Sequence, residues 1–280
     1  MKKILLPTDF SENSVNAIKY AVQLFKDEKC TFYLLNTYTP TIYYIEYVPV
    51  ESGYSSLSDA VKDRILNDLK AIVTKIKNEF KNPNHRFQNI AAFSTLIVKI
   101  KDIVKEKKID YIVMGTKGAT GAKEVLFGSN TVHVLKNAKC PVLAIPSNFK
   151  FEAPHEILFP SDYGINFREK QVQPIVDIAT FYRGRVNVLN VSYGYELSEE
   201  QEKNRKKLET YFKDIAYVFH SVSNQDIPEA INNFQLKTRV NLLAMINNKH
   251  SFFENMFFKP TINQIGFHLN IPFLVIPSKA

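Results

Sequence analysis

Along the chain, short apolar runs alternate with amphipathic stretches, and the alternation happens twice. Residues 2–7 form an apolar run that predicts a first strand. Phe10-Ser11 then opens a helix with Val15, Ile18, Ala21, Val22 and Phe25 on one face. Residues 31–37 predict a second strand, apolar without alternation, as in a sheet covered on both faces. Residues 38–58 break the pattern: Tyr38, Tyr43, Tyr44, Tyr47 and Tyr54 mix with Pro40, Pro49 and Gly53 in what reads as a long crossover loop. A helix follows over 57–80, with Val61, Ile65, Leu69, Ile72, Val73 and Ile76 as its stripe. Then come a weaker strand at 86–93, a helix at 95–107, a strand at 109–114, a helix with Ser129 as its N-cap, and a closing strand at 140–146.

After a polar linker at 147–155 the pattern restarts. Ile4-Leu-Leu-Pro-Thr-Asp9 is echoed by Ile157-Leu-Phe-Pro-Ser-Asp162, and Cys140-Pro141-Val-Leu-Ala-Ile-Pro146 by Ile271-Pro272-Phe-Leu-Val-Ile-Pro277. Between these ends lie predicted strands at 186–191, 216–221 and 241–246 and helices at 199–212 and 228–236. The expected class is α/β: two tandem doubly wound α/β/α domains, 1–148 and 153–280, each with a mostly parallel five-stranded sheet. In such sheets ligands bind beyond the carboxyl ends of the strands.

Composition narrows the class. The chain has 280 residues, 45% hydrophobic and 23% charged, enough for two ordinary cores. No run of about 18 apolar residues occurs, and the N-terminus meets an acid too early for a signal peptide, so no membrane partner and a cytoplasmic location are expected. Cys30 and Cys140 lie far apart and read as buried reduced thiols. The histidines show no metal-ligand spacing.

Charge is uneven: residues 1–150 carry 22 basic against 14 acidic side chains, residues 151–280 carry 14 of each. The excess suits a small polyanion. No nucleic-acid motif accompanies it, so no nucleic-acid partner is expected.

The most informative stretch lies in the basic half. Residues 114–129, MGTKGATGAKEVLFGS, hold four of the nine glycines, where an even spread would place fewer than one. Strand, glycine-rich loop and helix N-terminus together make a cradle of backbone N–H groups for an anion, with the helix dipole favouring negative charge. The loop matches neither G-x-x-x-x-G-K-[ST] nor G-x-G-x-x-G. Its spacing is Gly115-x2-Gly118-x9-Gly128-Ser129.

That spacing resembles the nucleotide-binding signature of the universal stress protein family, G-x2-G-x9-G-[ST], at every defining position. With the internal repeat, the resemblance extends over the chain as the family's tandem form, of adenine nucleotide alpha hydrolase-like architecture. It implies ATP, with or without Mg2+, as the ligand. It implies contacts from Pro7, Thr8 and Asp9 after the first strand, from Thr37 or its neighbour after the second, and from Met114, Gly115, Gly118, Gly128, Ser129 and Asn130. It also implies pairing through the closing strands, here as an intramolecular pseudo-dimer, with a homodimer as a further association. Chemically, Asp9 suits a ribose hydroxyl or an exocyclic amine, or caps a helix.

The second copy departs from the signature. Opposite Gly115, Gly118, Gly128 and Ser129 stand Ile246, Lys249, Lys259 and Pro260, and proline has no N–H to donate. Asp162 survives, as a ligand residue or a helix cap. The expected function is a stress-response binding module with one adenine nucleotide site and no enzymatic activity. Two alternatives stand beside it: slow ATP hydrolysis or self-phosphorylation, and a nucleotide-free scaffold offering Phe252, Phe253, Phe257 and Phe258 to a protein or apolar ligand. No kinase motif set supports fast phosphoryl transfer.

Overall fold

A computed structural model of the chain describes residues 1–39, 54–116, 127–192, 194–248 and 270–278. Gly118, Gly121, Lys117, Lys123, the loop tyrosines 43, 44 and 47, Lys249, Lys259, Pro260 and the phenylalanines 252, 253, 257 and 258 lie outside the described residues.

The first half runs β1 (Lys2–Pro7), α1 (Glu12–Leu24), β2 (Cys30–Tyr38), α2 (Tyr54–Phe80), β3 (His85–Phe93), α3 (Leu96–Lys107), β4 (Tyr111–Gly115), α4 (Ser129–Asn137) and β5 (Val142–Ile145). The second runs β6 (Glu156–Pro160), α5 (Glu169–Tyr182), β7 (Arg185–Ser192), α6 (Glu199–Phe212), β8 (Ala216–Ser223), α7 (Ile227–Lys237), β9 (Leu242–Asn247) and β10 (Phe273–Pro277). The described strands join one ten-stranded sheet in the order β3-β2-β1-β4-β5-β10-β9-β6-β7-β8. The order reads alike from both ends. The two expected five-stranded halves join into one sheet through their closing strands, as the sequence suggested: β5 and β10 pair antiparallel, with Phe273 opposite Ala144 and Val275 opposite Val142. Every other neighbouring pair is parallel.

The continuous apolar strands explain the layering. Ile4 and Leu6 face one side with α1, α2, α5 and α6, while Leu5 faces the other with α3, α4 and α7. Ile4, Leu5 and Leu6 are each 0% exposed, so neither face of β1 meets water. Tyr182 in α5 also ties the halves: its Oη donates to the Leu24 carbonyl at the end of α1 at 2.6 Å.

Four sequence expectations change. α5 was not legible as a helix; Pro174 lies inside it and removes one backbone donor, while Val172, Ile175, Ile178 and Ala179 are buried at helical spacing. The crossover loop is shorter than 38–58, since β2 runs to Tyr38 and α2 begins at Tyr54. Ser129 is the first residue of α4, and Gly128 takes the N-cap position without a side-chain cap. Asp162 does not cap α5, which starts seven residues later with Arg168 as N-cap; its Oδ1 accepts from Gly164 N at 2.9 Å instead.

Candidate functional site

At the end of β1 the chain turns through Phe10, whose φ of 65° is unusual for a bulky residue. Local bonds hold the turn. Thr8 Oγ1 accepts from Phe10 N at 3.1 Å and shares a hydrogen bond with Ser14 Oγ at 2.8 Å. Asp9 Oδ1 accepts from Ser11 N at 3.1 Å and Ser11 Oγ at 2.6 Å, and Ser11 Oγ caps α1 by accepting from Ser14 N at 3.2 Å. From β2, Asn36 Nδ2 donates to the Thr8 carbonyl at 2.9 Å. Asp9 thus braces the cap rather than forming it.

The second half repeats part of this turn, without the Ser11-type cap. Tyr163 has φ 55° and its N–H donates to Ser161 Oγ at 3.1 Å. Asn190 Nδ2 donates to the Ser161 carbonyl at 2.9 Å, the counterpart of Asn36. What differs is the cover. Gln201 Nε2 of α6 donates to the Asp162 carbonyl at 2.8 Å, and buried Asn204 donates to the Tyr163 carbonyl at 2.9 Å. Protein groups occupy the polar positions above this second turn.

β4 ends beside the first turn. A Cβ built on Gly115 would lie 2.5 Å from Asn13 Nδ2, so the missing side chain admits the first turn of α1. Packing against Asn13, more than access for a ligand, therefore requires glycine at this position. In the second half Ile246 holds the matching register: Gly115 pairs with Ile145, and Ile246 with Ile276. Beyond Gly115, Thr116 N donates to the Ile145 carbonyl at 2.9 Å, and the Thr116 carbonyl accepts from Gly128 N at 2.8 Å. Thr131 Oγ1 donates back to the Gly115 carbonyl at 2.9 Å. These bonds fix the start of α4 against the end of β4.

Between these elements lies a cleft of about 230 Å³ at the carboxyl ends of β1, β2 and β4. Pro7, Thr8, Asp9, Thr37, Met114, Gly115, Gly128, Ser129 and Asn130 all line it, which brings together every expected site residue among the described residues. Ser14, Asn36, Leu96 and Thr131 also line it. Ser14 and Thr131 carry the legible signal of polar residues in the first turns of helices that follow β1 and β4. Leu96 has no such signal.

None of the described lining residues is basic, and Asp9 is the one acid among them. Attraction for an anion comes from α4, whose first-turn amides find no partner within the helix and carry the positive end of its dipole. Among the described residues no group of three or more His, Cys, Asp or Glu is placed to hold a metal. No described helix is long and apolar enough to cross a membrane.

The model of the universal stress protein family matches residues 1–146. A universal stress protein of Methanocaldococcus jannaschii is 33% identical over 146 residues, covering 51% of this chain and 81% of its own. Another from the same organism is 29% identical over 159 residues, covering 51% of this chain and 94% of its own. Over the whole chain, the fold is shared with a universal stress protein from Archaeoglobus fulgidus DSM 4304, at a TM-score of 0.66, 16% identity and coverage of 99% and 98%. With the family model spanning more than half of its length, this chain belongs to the universal stress protein family.

Proposed function

We propose that the chain is a tandem universal stress protein whose first domain, residues 1–148, binds one adenine nucleotide, ATP by preference, as a regulatory binding module and not an enzyme. The observation that carries this reading is the convergence, on one cleft with the first turn of α4 in its wall, of nine residues that the family resemblance implies. A triphosphate supplies the anion that this turn is built to receive. Asp9 suits the ribose hydroxyls, and Met114 and Leu96 supply apolar surface for a base.

The described walls enclose less than the roughly 300–1,000 Å³ of small-molecule sites, so a nucleotide extends past them. Mg2+ fits only as a companion of the phosphates. Asp9 alone among the described lining residues is a hard anionic ligand, and Mg2+ commonly takes one or two carboxylates plus phosphate oxygens. The second domain, residues 153–280, pairs with the first as a built-in partner and holds no equivalent site. Support for that comes from the antiparallel β5–β10 pair, Ile246 at the Gly115 register, and the α6 side chains over Asp162.

Gly128 provides the test. Its φ of −62° and ψ of 153° suit any residue, so Gly128→Leu adds a bulky side chain at the cleft wall without backbone strain. The expected result is a folded variant that loses no more than about 1 kcal/mol of stability, the cost of a poor N-cap residue, with ATP affinity lowered about tenfold or more. Undiminished binding by the folded variant contradicts the reading.

A further inference from the structure

Helix α4 is held at both ends by the other half of the chain. Asn247, the last residue of β9, donates through Nδ2 to the carbonyls of Leu135 and Lys136, each at 3.0 Å. These carbonyls belong to the last turn of α4, where no intrahelical donor is left for them. Within the first half, the C-cap of α4 contributes one backbone bond, from Ala138 N to the Val134 carbonyl. At the opposite end, Phe127 is buried immediately before the N-cap and its ring centroid lies 6.0 Å from that of Phe273 in β10.

The anchor is itself fixed. The Asn247 carbonyl accepts from Ser278 N at 3.2 Å, and the Ser278 carbonyl accepts from Gln171 Nε2 of α5 at 2.7 Å. A continuous set of hydrogen bonds thus runs from α5 through Asn247 to α4. At nine residues, α4 is too short to be stable without tertiary partners, so these contacts bear on where its first turn stands. Asparagine suits the position: its amide donates without charge, whereas a carboxylate would face carbonyl oxygens at the negative end of the helix.

We infer that Asn247 is a positioning residue for the cleft of the other half, holding α4 so that its first-turn amides meet an anionic ligand. The half without the glycine signature thereby serves the site it does not contain. This rests on the reading of the cleft as a nucleotide site.

The test uses the full chain, with ATP and adenosine titrated separately into wild type, Asn247→Ala and Asn247→Asp, and amide hydrogen exchange followed over residues 129–137. The expected result is ATP affinity lowered about fivefold in Asn247→Ala and at least as far in Asn247→Asp, the scale of one lost helix cap. Adenosine, which lacks the anion, keeps its affinity, and exchange in α4 accelerates while the central strands stay protected. Three outcomes overturn the inference: ATP affinity unchanged in both variants, ATP and adenosine affinity falling in proportion, or faster α4 exchange without loss of ATP affinity. Wild type that binds no nucleotide overturns the nucleotide reading and this inference together, which separates the two failures. If Asn247→Ala does not fold, Asn247→Ser, which keeps a polar side chain too short to reach the carbonyls, takes its place with the same criteria.

Discussion

Gly115 at the end of β4 and Asn13 in the first turn of α1 are in such close contact that a Cβ on the glycine would stand 2.5 Å from Asn13 Nδ2 and 2.7 Å from its Cγ. Asn13 is buried, so the displaced amide has little room to move. Gly115→Ala is therefore expected to destabilise the chain by about 1–3 kcal/mol, the usual cost of overpacking a filled interior. It also pushes α1 from the cleft wall formed by Thr8 and Ser14, so nucleotide affinity falls alongside. Urea denaturation with a parallel ATP titration checks both. Full stability in the alanine variant would show that the glycine answers to the ligand and not to Asn13.

The contrast between Gly115 and Gly128 shows what sequence reading reaches. Spacing marked both glycines as one signature, and both line the cleft. It did not separate their causes, because the Asn13 contact joins a strand and a helix distant in sequence. Strands were legible where burial on both faces leaves a continuous apolar run, as in Ile4-Leu5-Leu6. The helix α5 was not, because a proline sits within its pattern. Asn36 and Asn190 carry matched bonds to Thr8 and Ser161, yet a lone asparagine at the end of a strand has no spacing signal. The grip of Asn247 on α4 was equally silent: pairing of the closing strands was expected, but a lone asparagine ending β9 carries no spacing signal for a contact with α4.

His85 gives the chain a dependence on pH away from the cleft. Its ring packs edge-on against Phe32 and its Nε2 lies 3.0 Å from the Phe25 carbonyl, while buried Nδ1 has no hydrogen-bond partner among the described residues. Burial holds its pKa below the usual 6.5, against the upward pull of the Phe25 carbonyl. The folded state thus binds fewer protons than the unfolded state below that pH, and stability falls as pH drops through about 6.5. Wild type should lose stability relative to His85→Gln, which keeps a donor near Phe25 but cannot titrate, between pH 7 and pH 5. Parallel denaturation curves at each pH measure this, and a difference independent of pH contradicts it.

Cys30 and Cys140 are buried, and burial pushes both thiols up to about 12. At pH 8 the thiolate fraction is on the order of one in ten thousand. Native protein should react with a thiol reagent at pH 8 far more slowly than unfolded protein, which should expose both thiols at once. Rapid modification of either thiol in the native state would place it outside the core.

One nucleotide for each chain is the number on which the account turns. Calorimetric titration of the 280-residue chain with ATP is expected to give a single site at a stoichiometry of one, lost in Gly128→Leu. No detectable heat, or two equal sites per chain, would contradict it.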